Sequence, residues 1–154
     1  MTNPKMISTS IRDVKCGEGV TITEPSNLYE CTLGALCRIG PFVEIQRGVV
    51  VGERTKVQSH AFICELVTIG SDCFIGHGVM FVNDLFKDGG PARGDTTKWR
   101  ATAIGNNVSI GSNATILPVS ICDGVVIGAG AVVTRDIKKR GVYAGNPARL
   151  IREL

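Results

Sequence analysis

The sequence predicts an all-β fold, a parallel β-helix, on three observations. From Leu33 to Val82 an aliphatic or aromatic residue recurs every sixth position: Leu33, Ile39, Ile45, Val51, Val57, Ile63, Ile69, Ile75 and Phe81. The residue after this anchor is often glycine (Gly34, Gly40, Gly52, Gly70, Gly76), and the fifth is small or β-branched, as at Cys37, Val43, Val49, Thr55, Ala61, Val67, Cys73 and Val79. Glycine is abundant, at 19 residues, and aromatics are scarce, at 5%. That balance suits thin rungs that turn often around a narrow interior. A period of six fits neither a 3.6-residue helix nor a lone strand. It fits hexad-length strands wound as the faces of a prism, three hexads to a rung, with the anchors stacked inside. A sandwich of short strands needs turns of varied length and predicts no such period.

The 154 residues are read as one domain with chain enough to bury a core. Residues 1–32 carry a ragged form of the repeat: Val14 and Val20 are six apart, as are Ile22 and Leu28, but the two pairs are out of register. This is read as an irregular first coil able to cap the solenoid. Residues 84–102, DLFKDGGPARGDTTKWRAT, contain turn chemistry and no anchor, and are read as an extruded loop. Phe86 and Trp99 lie in it, so the loop is expected to pack on a neighbour or cover a ligand rather than face solvent alone. The repeat resumes at Ile104, Ile110 and Ile116, loses one residue before Ile121 near Pro118, and ends at Val133. In the tail, 134–154, Asn146-Pro147 reads as the N-cap and first residue of a short C-terminal helix over 148–154.

Several classes of function are disfavoured. Met1–Ser10 is polar, so no signal peptide is expected. No run approaches the ~18 apolar residues of a membrane span, and a cytoplasmic, non-membrane protein is expected. Of the six cysteines, Cys37 and Cys73 sit at the small fifth position and Cys64 and Cys122 at the second, as small apolar fillers do, and no CxxC pair exists, which points to a reducing compartment and no metal. A net charge of +3 is too mild to argue for nucleic acid.

Polar residues stack as well. Arg47, Glu65 and Asn83 are third residues of their hexads, eighteen apart, and so fall in one column with neighbours about 4.8 Å apart. With Asp84 at the start of the loop they form a candidate substrate wall; the plain alternative is a solvated column. His60 and His77 are the only histidines. His77 is expected near the Asn83 corner, in reach of substrate, and His60 at a corner or between subunits.

Two stretches near the end, ICDGVVIGAGAVVTRDI and GVYAGNPARLI, resemble the closing coils of the left-handed β-helix, hexapeptide-repeat acyltransferases. The similarity extends back to about Asn27. Four segments, NLYECTLG, IGPFVEIQ, KVQSHAFICE and IGHGVMFVND, resemble more narrowly the nucleotide-sugar N-acetyltransferases, which acetylate an amino group on a dTDP- or UDP-linked deoxyhexose. The resemblance implies a left-handed helix, acetyl-CoA as co-substrate, no metal, a homotrimer with sites between subunits, and a place in surface polysaccharide biosynthesis. It puts the sugar amine, on a dTDP-3-amino-3,6-dideoxyhexose for instance, among Glu65, Asn83 and Asp84; Arg47, His77, His60 and Phe86 are read beside them, from their positions in the repeat and the loop, as substrate contacts.

On the coenzyme side, Gly111, Ser112 and Ala129 keep one edge of consecutive rungs narrow enough for a pantetheine arm. Arg135, Lys138, Lys139, Arg140 and Arg149 are candidates for the coenzyme phosphates, and Asn146 and Pro147 belong to the GNPA ending. A thioester is already activated, so the polar column is expected to orient the amine first and to act as base second. Three alternatives stay open. An O-acetyltransferase of this kind usually carries a loop histidine, absent from 84–102. A β-helical zinc hydratase needs three histidines. A structural scaffold gives no reason for loop, column and tail to occur together.

Overall fold

The computed structural model describes residues 11–154, so the reading of Met1–Ser10 lies outside it. The chain winds as a three-sided parallel solenoid. The first face stacks Lys15–Cys16, Thr32–Leu33, Val50–Val51, Val67–Ile69, Thr102–Ile104 and Ser120–Ile121. The second stacks Thr21–Ile22, Arg38–Ile39, Lys56–Val57, Phe74–Ile75, Ser109–Ile110 and Val126–Ile127, then Gly141–Ala144 and Arg149–Glu153. The third stacks Asn27–Leu28, Glu44–Ile45, Phe62–Ile63, Met80–Phe81, Thr115–Ile116 and Val132–Val133. Equivalent anchors pair across rungs, as Ile75 does with Val57 below and Ile110 above.

Anchor and fifth residues both point inward, because side chains alternate along each short strand. The anchors from Leu28 to Val133 are almost wholly buried. Buried polar groups at the fifth position find partners in the backbone: Thr55 Oγ1 donates to the Gly70 carbonyl at 2.9 Å and accepts the Cys73 N–H at 3.0 Å. The six cysteines are free thiols. Burial pushes Cys31 up to about 11 and Cys64 up to about 12, so both stay protonated as core fillers.

The first coil is a complete rung. Cys16 lies in register with Leu33 and Ile22 with Ile39, so Cys16, Ile22 and Leu28 are its anchors. Val14 and Val20 pack against the core as fifth-position residues of the same register. The two pairs that look mismatched in sequence are thus the two inward rows of one pattern.

The C-terminal helix does not form. Gly141–Ala144 extends the second face in parallel, and Arg149–Glu153 folds back antiparallel upon it through a turn at Gly145–Ala148. Arg149–Glu153 is exposed at every residue, so no packing against the core holds it. A helix this short is marginal in water, whereas a strand gains ladder bonds on an open sheet edge. The single helical turn among the described residues is Thr96–Lys98, inside the loop.

Corners follow a rule of their own. The fourth residue of the hexad turns left-handed, including bulky Leu36, Phe42 and Leu66 at φ of 61°, 59° and 70°. The third residue's N–H is left over from the ladder, and at several rungs a side chain takes it. Between the first and second faces the rung above supplies it: Glu53 N–H donates to Ser71 Oγ, Ser71 N–H to Asn106 Oδ1, and Asn106 N–H to Asp123 Oδ1.

Candidate active site

The corner between the third and first faces gathers the irregularities. Both five-residue steps, Leu28 to Leu33 and Ile116 to Ile121, fall there, and so does the loop that leaves after Phe81 and returns at Thr102. Arg47, Glu65 and Asn83 follow successive strands of the third face, as the repeat requires. Asn83 Nδ2 donates to the Glu65 carbonyl at 3.2 Å. Arg47 turns the other way, to the rung below, where its Nε lies 2.7 Å from Glu30 Oε2. Asp84 faces its own loop: Oδ1 accepts the Phe86 N–H at 2.9 Å and Oδ2 the Ala92 N–H at 2.7 Å. The returning strand closes the loop, with the Arg100 N–H on the Asn83 carbonyl at 2.9 Å. Phe86 is 59% exposed near the loop's start.

Four further residues complete this corner. Gln46 Nε2 donates to Glu44 Oε1 at 2.9 Å, and Gln46 Oε1 accepts the Glu65 N–H at 3.3 Å. Tyr29 holds its phenol proton more tightly than usual, first through burial and then through the negative charges of Glu44 and Glu65. Glu30 anchors Arg47. A signal for these was available: after the third-face anchors Leu28, Ile45, Ile63 and Phe81 stand Tyr29, Gln46, Cys64 and Val82, where other faces repeatedly place glycine.

The histidines lie one corner away. His77 follows a strand of the second face, not the third, so a whole face of the prism separates it from Asn83 within one chain. Asn83 stands six positions further along the chain, at most about 20 Å when extended. His77 Nδ1 lies 2.9 Å from Ser59 Oγ in the rung below, and His60 stacks on Phe42 with ring centroids 4.9 Å apart.

The coenzyme candidates divide among several places. Gly111, Ser112 and Ala129 do stack on one edge: a Cβ at Gly111 would lie 2.5 Å from the Ala129 nitrogen, so the rungs admit no side chain there. Arg135 and Arg149 share a cavity of about 220 Å³ with Asp136, Tyr143 and Leu150. Lys138 borders a separate groove with Ser120, Cys122 and Asp136. Lys139 is paired with Glu153, and Arg140 lies across Gly124. Asn146 and Pro147 form the turn of the terminal hairpin. The basic cluster of the sequence is therefore split by the winding of the chain. Among the described residues no three His, Cys, Asp or Glu side chains converge as metal ligands, and no helix is long and apolar enough to cross a membrane.

Residues 101–135 match the family model described as the hexapeptide repeat of succinyl-transferase. The chain is a hexapeptide-repeat β-helix. The bifunctional protein GlmU of Clostridium botulinum is 31% identical over 139 residues, covering 89% of this chain but 28% of that protein. This repeat protein thus spans under a third of that curated relative. Among solved structures it is similar to a variant of AntD, an N-acyltransferase from Bacillus cereus in complex with dTDP and coenzyme A. The TM-score is 0.80 and the identity 21%, with 90% of this chain and 83% of that chain covered. It is also similar to a variant of perosamine N-acetyltransferase from Caulobacter crescentus, in complex with CoA and GDP-perosamine. There the TM-score is 0.73 and the identity 19%, over 87% of this chain and 57% of that one.

Proposed function

We propose that this hexapeptide-repeat protein is an acetyl-CoA-dependent N-acetyltransferase acting on the amino group of a nucleotide-linked amino sugar, in the cytoplasm, as a homotrimer. The dTDP-3-amino-3,6-dideoxyhexoses of surface polysaccharide synthesis are the favoured substrates. The observation that carries the reading is the corner of Glu65, Asn83 and Asp84. Glu65 is held by its peptide on both sides, its carboxylate takes no hydrogen bond or ion pair among the described residues while feeling the charge of Arg47, and a stapled loop stands beside it. The neighbours crystallised with coenzyme A and with dTDP or a GDP-linked sugar support it.

In this reading Glu65 and Asn83 orient the neutral amine, while Asp84 holds the loop in place over it. The amine nitrogen attacks the thioester carbonyl carbon; the C–N bond forms, the C–S bond breaks, and the proton lost by nitrogen ends on the departing sulfur. Positioning supplies most of the acceleration, since the thioester needs no further activation. Arg135 and Arg149 are the cations placed to share one phosphate of the coenzyme, and the Gly111, Ser112 and Ala129 edge takes its narrow arm.

The test is thiol release from acetyl-CoA against a panel of dTDP-, UDP- and GDP-linked amino sugars, with their hydroxyl counterparts alongside. Turnover is expected with amines only. Glu65→Ala and Asn83→Ala are each expected to lower kcat/KM about ten- to a hundredfold, the worth of one hydrogen bond to a polar or charged group. A loss beyond about a thousandfold with the acidic limb of the pH profile abolished would mark a general base instead. Transfer to hydroxyls would favour an O-acetyltransferase, for which the Ser59–His77 pair is the available base.

A further inference from the structure

At the corner between the first and second faces, three successive third-position N–H groups, those of Glu53, Ser71 and Asn106, are taken by the side chain of the rung above. Asn106 does this with its amide oxygen. Asn83 occupies the same place above Glu65 and breaks the rule: its amide nitrogen points down, to the Glu65 carbonyl. The Glu65 N–H is instead capped from the rung below by Gln46 Oε1. Gln46 is held in that sense by Glu44, whose carboxylate accepts from Nε2 and so forces Oε1 toward Glu65.

We infer that Gln46 is the positioning residue of the site, with Glu44 setting the sense of its amide. By taking the Glu65 N–H from below, Gln46 relieves Asn83 of the structural task that Asn106 performs. Asn83 Oδ1 is thereby left without a hydrogen bond among the described residues, beside the Glu65 carboxylate, which accepts none either. Two acceptors on one corner match the two N–H bonds of a primary amine. A purely structural corner needs neither the reversed amide nor Gln46, because an asparagine in this place can take the N–H below it unaided, as Asn106 does for Ser71. The inference rests on the acyltransferase reading of this corner.

The experiment measures kcat/KM for the amino sugar, and KM for acetyl-CoA, in Glu65→Ala, Gln46→Met, the exchange pair Glu44→Gln with Gln46→Glu, and Gln46→Met combined with Asn83→Ala. Thermal unfolding is followed for each. Gln46→Met is expected to lower kcat/KM for the amino sugar about tenfold, with KM for acetyl-CoA unchanged. The exchange pair keeps an acceptor toward the Glu65 N–H and a donor between residues 44 and 46, and is expected to recover to within about threefold of the parent. Combined with Asn83→Ala, Gln46→Met is expected to cost nothing further, since it acts through Asn83. Wild-type kcat/KM in Gln46→Met alongside a damaged Glu65→Ala overturns the positioning role and leaves the site standing. A folded exchange pair as slow as Gln46→Met overturns it likewise. An undamaged Glu65→Ala removes the site itself, and this inference with it.

Discussion

At the scale of single residues, burial decides chemistry more than residue type does. Cys31 and Cys64 are pushed up to about 11 and about 12 by desolvation, whereas Cys16 is exposed. The thiolate is the reactive form, and at pH 8 a thiol near 12 presents only about one part in ten thousand of it. Thiol titration of the native protein is therefore expected to label Cys16 promptly and half-buried Cys122 slowly, with all six reacting only in denaturant. Prompt reaction of three or more would contradict the packing of the rungs. Glycine at the second position is fixed by a different limit, the distance between rungs. A Cβ on Gly52 would lie 2.5 Å from the Gly70 carbonyl carbon and the Ser71 nitrogen, both backbone atoms that cannot step aside. Gly52→Ala is expected to cost about 1–3 kcal/mol, read as a lowered unfolding midpoint.

Among the elements, the loop and the terminal hairpin depart most from the repeat. Asp84 staples the loop by two backbone N–H groups, and Lys98 adds a surface pair with Asp88 at 2.8 Å. Surface pairs contribute little, so Asp84 should dominate. Asp84→Ala is expected to raise amide exchange at Phe86 and Ala92 about ten- to a hundredfold while leaving Phe62 and Met80 protected. Unchanged exchange in the loop would show that its fold does not depend on the carboxylate. The hairpin ties Lys139 to Glu153 and carries Arg149 into the cavity with Arg135. Removing 141–154 is expected to weaken coenzyme binding more than sugar binding in calorimetry, and equal losses would place the coenzyme elsewhere.

For the whole molecule, the solenoid leaves large apolar groups on its outside: Phe42 is 56% exposed, Phe74 41% and Met80 42%. Phe42 carries His60 in its stack, one corner away from Glu65 within the chain. Closed cyclic assembly would cover such groups and would let the histidine corner of one subunit approach the Glu65 corner of another. Light scattering is expected to give three times the 16.4 kDa chain mass at micromolar concentration. A monomer would confine the site to one chain and leave both histidines outside it.

The repeat was legible in the sequence because its cause is local and strictly periodic. An inward anchor every sixth residue sets the strands, the faces and the stacking of Arg47, Glu65 and Asn83, whatever happens at the corners. The loop was legible for the same reason, as a place where anchors stop. What the sequence alone did not decide depends on how side chains choose among neighbours that the winding supplies. Arg47 takes Glu30 rather than Glu65, because the rung below offers a carboxylate in reach of its guanidinium. His77 falls on a different corner from Asn83, since six residues carry the chain across one face. The tail becomes a strand, because only the assembled sheet presents an open edge to pair with. Gln46 acquires its place in the site because its amide, turned by Glu44, takes the Glu65 N–H of the rung above, a residue that only the winding of the chain brings beside it.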